Sequence, residues 1–133
     1  MANGTIAFDT LQTSGQITGT AKSVDTDYVV NGSAKAWINF NGTSTIATRD
    51  SFNVSSIADD GTGIYTITIN NDMANANYCT TSGVGRGGLA TCTFLNDGTW
   101  AVTAGSGQVI CANSSNAAFD PPAVLASFLG DLA

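Results

Sequence analysis

Histidine and glutamate are both absent from the 133 residues, and lysine and arginine together number only four. Each shortage argues against a class of function. Histidine is the usual base of serine and cysteine hydrolases, so those arrangements lose their proton acceptor. A mixed Cys/His zinc site is ruled out with it. With no glutamate, all ten acids are aspartates, which favour turns and caps over helix interiors. The four cations, Lys22, Lys35, Arg49 and Arg86, are scattered and form no patch. Phosphate backbones and anionic lipid surfaces need clustered cations, so neither nucleic acid nor a membrane surface is an expected partner. No apolar run reaches the roughly 18 residues that cross a bilayer. The first ten residues, MANGTIAFDT, lack the basic and long apolar regions of a signal peptide.

What remains is a chain of ordinary hydrophobicity, 43%, with 11% charged residues and a net charge of −6. Disorder pairs low hydrophobicity with high charge, and this chain has neither. Its length suits one domain with a modest core. The central stretch, residues 34 to 78, alternates apolar and polar residues between turn signals. Ala34, Ala36, Ile38 and Phe40 share one strand face, with Lys35, Trp37 and Asn39 on the other. Residues 46 to 54 read as a second strand with Phe52 and Val54 on one face. Tyr65, Ile67 and Ile69 form the buried face of a third. Asn31-Gly32, Asn41-Gly42, the run Asp59 to Gly63, and Asn96-Asp97-Gly98 are read as turns. Met73 and Ala74 fit a helical turn, and Thr99 to Thr103 a strand. The last sixteen residues fit either a helix, through Leu125, Phe128, Leu129 and Leu132, or a strand, through Val124, Ala126 and Phe128.

About eight evenly spaced strands predict an all-β fold, an antiparallel β-sandwich or jelly-roll-like domain. The polar segment that begins the chain, with Gly15 and Gly19 as breaks and a short strand at Ile6 to Phe8, reads as an extended N-terminal arm. The division expected is residues 1–33 as arm or anchor and residues 34–133 as β-sandwich knob.

Reactive constellations are few. Cys79, Cys92 and Cys111 match no metal spacing and cannot all pair within one chain, so free and largely buried thiols in a protein made in a reducing cytoplasm are expected. Gly83, Gly85 and Gly88 match the letters of a dinucleotide fingerprint without its strand–helix context, and read as a flexible loop. The carboxylate pairs Asp25/Asp27 and Asp59/Asp60 lie in exposed, turn-like sequence; catalysis would need a facing pair across a cleft, and calcium the regular EF-hand spacing. Sequons at Asn3, Asn31, Asn41, Asn53 and Asn113 carry no meaning without a secretory signal. Trp37 and Trp100 sit at strand positions, where an exposed pair would stack on sugar rings and a packed pair would serve a core or a subunit interface. The sequence calls for no catalytic residue, no cofactor and no metal, and names no receptor or interface residue.

The strings KAWINFNG, TRDSFNVSSI, DDGTGIYTITI and DMANANY resemble the signature of a module in marine bacteriophage virion proteins, often placed at the ends of tail fibres of phages that infect cyanobacteria and related bacteria. The opening GTIAFDTLQTSG and closing FLGDLA resemble the same family, and Gly83 to Asn116 departs from it most. The resemblance implies a virion structural protein, a homotrimer docked on other virion proteins through its first segment. A short tail-fibre or tail-tip knob that meets a host surface glycan or protein is the expectation. A capsid decoration or head-fibre protein is the alternative, and a free carbohydrate-binding module a further one.

Overall fold

The structure, a computed structural model, describes residues 26–85, 90–95 and 102–133. The expected strand at Ile6 to Phe8, most of the arm, Lys22, Asp25, Arg86, Gly88, the Asn96-Asp97-Gly98 turn and Trp100 lie outside the described residues, as does most of the 99–103 strand. A seven-residue helix, α1 (Thr26–Gly32), precedes eight strands: β1 (Ala34–Asn41), β2 (Ala47–Phe52), β3 (Val54–Gly61), β4 (Ile64–Ile69), β5 (Cys79–Gly85), β6 (Ala90–Phe94), β7 (Ser106–Asn113) and β8 (Ala123–Leu129). They form two four-stranded antiparallel sheets, β2-β1-β8-β5 and β3-β4-β7-β6. The all-β sandwich expected from the alternation is the fold observed.

The core lies between the sheets. Ala36, Ile38, Phe40, Val124, Ala126 and Phe128 come from the first sheet; Tyr65, Ile67, Ile69, Cys92, Val109 and Cys111 come from the second. Each large apolar side chain hidden there contributes about 1.5–3 kcal/mol. Edge-on ring contacts tie the layers together, Phe40 on Tyr65 with centroids 5.1 Å apart and Phe94 on Phe128 at 5.2 Å. The alternation in β1 and β4 thus reads the buried face correctly. The ambiguous terminus is a strand, because Val124, Ala126 and Phe128 complete the first sheet's inner face.

Four expectations are corrected. The 46–54 strand is two strands in different sheets. Asn53, at φ 55°, turns the chain from β2 into β3, and its side chain holds the corner through the Lys35 and Asn71 carbonyls and the Asn71 amide. Phe52 is left on the outside while Val54 packs against the core. Asn31-Gly32 ends α1 instead of making a positive-φ turn. Met73 makes no helical turn; it is buried in an isolated bridge to Leu132. Gly83 and Gly85 are not loop residues but lie in β5, paired with Leu125 and Ala123.

Two hairpins, β1–β2 and β3–β4, form where expected, with shifted chemistry. Between β1 and β2 the positive φ falls on Ser44 and not on Asn41-Gly42, while Asn41 bonds to Thr43 and Thr45 across the loop. Strand β3 runs on to Gly61, leaving Thr62-Gly63 as the turn into β4. Gly63, at φ 71°, is required there: a Cβ would sit 2.6 Å from the Cys111 carbonyl oxygen and 2.7 Å from that of Phe119. Beside it, Asp120 Oδ1 accepts from the Gly63 amide at 2.6 Å and from the Tyr65 hydroxyl at 2.9 Å. Burial first, and the Asp120 carboxylate second, push the Tyr65 phenol well above its usual range.

Candidate functional site: the outer face of the first sheet

Residues paired across antiparallel strands point to the same face, so register alone assembles the outside of the first sheet. One row reads Phe52, Trp37, Ser127, Thr81 across β2, β1, β8 and β5. The next reads Asp50, Asn39, Leu125, Gly83. Trp37, Asn39, Thr81, Gly83, Leu125 and Ser127 of these rows line a shallow depression of about 410 Å³, whereas Phe52 lines a separate one beside Ala34 and Lys35. Trp37 is half-buried, whereas Phe52 is 55% and Leu125 44% exposed, the large apolar side chains that the strands leave most open among the described residues.

Polar groups frame this apolar floor. The Thr81 and Ser127 hydroxyls lie 2.7 Å apart and hydrogen-bond to each other. Arg49 is the extra residue of a bulge where the pairing steps from Asn39–Asp50 to Phe40–Thr48. A bulge re-aims its side chain, and the Arg49 guanidinium donates to Asn39 Oδ1 and the Phe40 carbonyl, each at 3.2 Å, and to the Pro122 carbonyl. It thereby orients the Asn39 amide. Asp50 is exposed at the rim. Gly83 keeps the floor open, since a Cβ there would meet nothing within 4 Å.

At the other end of β1, Lys35 shares the outer face but is nearly buried. Its ammonium donates to the Val30 carbonyl, and at 2.9 Å to both the carbonyl and the hydroxyl of Ser33. It therefore serves the exit of α1 and does not form part of the depression.

The remaining motifs do not converge on this face. Asp59 and Asp60 end β3 in the other sheet, where Asp59 Oδ1 accepts from the Gly61 amide at 3.1 Å. Asp60 Oδ2 accepts from Thr66 at 2.5 Å and from Gln108 Nε2 at 2.9 Å. They are thus held at a strand end and not in a free turn, and among the described residues no cleft sets them opposite a second pair. Among the described residues no three cysteines or aspartates gather to hold a metal ion. Cys92 and Cys111 are buried and Cys79 is exposed at the start of β5, so the expectation of largely buried thiols holds for two of three.

Sequence reasoning found Trp37 and its outward face but not its neighbours. Thr81, Leu125 and Ser127 lie 44 to 90 residues away along the chain, and only the strand order β1-β8-β5 brings them together. What the face offers chemically is a flat apolar surface rimmed by hydroxyl, amide and carboxylate groups, with one carboxylate and no histidine.

No family model matches the sequence, and no curated protein matches it. Among solved structures, the chain is similar to the phiAB6 tailspike, determined in complex with three-repeated oligosaccharides of Acinetobacter baumannii surface polysaccharide. Identity is 17% and the TM-score 0.47, over 71% of this chain and 20% of that one. The chain thus spans about a fifth of the tailspike's length. A likeness of this extent assigns neither a family nor an activity.

Proposed function

We propose that this chain is a non-enzymatic attachment domain of a bacteriophage virion, a short tail-fibre or tail-tip knob, whose first sheet meets a host surface glycan with its outer face. The observation that carries the glycan reading is the row Phe52, Trp37, Ser127, Thr81, flanked by Asn39 and Asp50. Sugar rings present apolar C–H faces and hydroxyl edges, and an indole bordered by hydroxyl, amide and carboxylate groups complements both. A subunit interface of the obligate kind is more uniformly apolar than this mixed face. The virion setting is supported by the resemblance of the central strings to phage virion modules. In that setting the domain is displayed outward as a homotrimer, and residues 1–33 dock it on other virion proteins.

Cryo-electron microscopy of the purified virion tests the setting. Density for this chain at a tail appendage is expected. Density spread over the shell would make it a decoration protein and overturn the attachment role, and its absence from the particle would overturn the virion assignment altogether.

A further inference from the structure

A second pair of residues, in the other sheet, carries an inference that does not depend on the attachment reading. Cys92 in the edge strand β6 and Cys111 in β7 are register partners, and their sulfurs lie 2.8 Å apart. The ladder fixes what kind of pair they are. The Leu95 amide donates to the Gln108 carbonyl, which makes 95 and 108 a hydrogen-bonded pair. Such pairs alternate along an antiparallel ladder, so three steps on, 92 and 111 form a non-hydrogen-bonded pair. The Cys111 backbone agrees: its amide donates to Gly63 and its carbonyl accepts from Phe119, both away from β6.

In non-hydrogen-bonded pairs the Cα atoms stand about 4.5 Å apart, inside the roughly 4.4–6.8 Å that a disulfide spans. The sulfurs need only close from 2.8 Å to about 2.05 Å. Side-chain rotation supplies that without moving a strand. The contact also makes the two thiols unequal. Donation from Cys111 stabilises a Cys92 thiolate and lowers its pKa, while the same bond and burial raise that of Cys111. The more ionisable sulfur therefore sits on the edge strand of the second sheet, where the Cys92 carbonyl accepts from the Ser82 hydroxyl of β5 at 2.9 Å.

We propose that Cys92 and Cys111 form an oxidation site at which a small peroxide-class oxidant closes a cross-strand disulfide, fastening the edge strand β6 to β7. The Cys92 thiolate attacks one peroxide oxygen and the O–O bond breaks, leaving a sulfenic acid and a hydroxide that takes up a proton to become water. The Cys111 sulfur then attacks the Cys92 sulfur. The sulfenic oxygen leaves as a second water, carrying the Cys111 proton. The two cysteines lose two electrons, and the peroxide gains them.

The test uses the full chain with Cys79→Ser, which removes the exposed thiol and leaves the buried pair intact. Reduced protein is treated with hydrogen peroxide, then followed by peptide mapping, by thiol titration in denaturant and by thermal melting. Expected are a linked Cys92–Cys111 peptide pair about 2 Da below its reduced mass, loss of both thiols within one chain, and a Tm raised by roughly 5 °C or more and restored by dithiothreitol. Thiols that persist through the treatment would overturn the proposal, as would oxygen added to either cysteine in peptide mapping, which separates it from sulfoxide at Met1 and Met73, or a disulfide that fails to raise the Tm. None of these results bears on glycan binding, so the two readings fail separately.

Discussion

The two sheets share one core but present different outer faces. On the second, the polar groups of neighbouring strands bond to one another: Thr66 and Gln108 both donate to Asp60, and Ser55 donates to the Thr68 carbonyl. On the first, exposed Phe52 and Leu125 flank a half-buried Trp37 beside the Thr81–Ser127 hydroxyl pair, over a floor kept clear by Gly83. The second face is not fully satisfied, since Gln108 Oε1 is buried there without a hydrogen-bond partner among the described residues. The first differs in its apolar floor with hydrogen-bonding groups at the edge, and that difference supports the proposed contact on the first sheet.

The contrast requires that both faces rest on a common, rigid interior, and the largest predicted effect tests that. Ile67→Asp puts an unpaired carboxylate into a fully buried position of the second sheet, at a cost of several kcal/mol. The expected result is loss of cooperative unfolding, followed by thermal melting with circular dichroism. An unchanged Tm would show the register to be wrong.

Next come two glycine substitutions that separate interior from face. Gly63→Ala forces a Cβ against two carbonyl oxygens at a positive φ, and a loss of about 1–3 kcal/mol is expected in urea titrations. Gly83→Val adds a larger side chain where a Cβ meets open space. Its stability should stay within about 0.5 kcal/mol of the parent while the depression fills and glycan binding falls. Equal destabilisation by the two would erase the distinction between the faces.

Smaller than the Gly63 effect is that of Tyr65→Phe, which removes a donor to Asp120 and to the Gly42 carbonyl. The expected loss is about 1–2 kcal/mol, measured against the parent at neutral pH.

The smallest effect is in alkaline solution. Burial raises the Tyr78 phenol to about 12, above its unfolded value near 10. In that window the folded state binds more protons than the unfolded one. The contribution is therefore fully present below pH 10 and is lost as pH rises towards 12. Tyr78→Phe should flatten the fall in Tm over that range, and an unaltered fall would assign it to other groups.

Much of this fold is legible in the sequence wherever the determinants are local. Period-two alternation marks the buried faces of β1 and β4. The failures have physical causes. Asn53 moves the chain between sheets through a single left-handed residue, and nothing in the alternation of residues 46 to 54 announces it. Asn31-Gly32 reads as a turn, yet it closes α1, whose exit is held by Lys35 through backbone carbonyls. The terminal strand was ambiguous because Val124, Ala126 and Phe128 become a face only against β1 and β5. The candidate site was legible in one residue, Trp37, and its other members depend on pairings between strands distant in sequence.

The most direct test of the central claim is an array of bacterial surface oligosaccharides probed with the parent protein and with Trp37→Ala. Binding of the parent to at least one glycan, weakened tenfold or more by the substitution with the Tm within a few degrees of the parent, is the result expected of a stacking residue on an open sheet face. Retention of full binding by a folded Trp37→Ala protein, or no glycan bound by the parent, would contradict it.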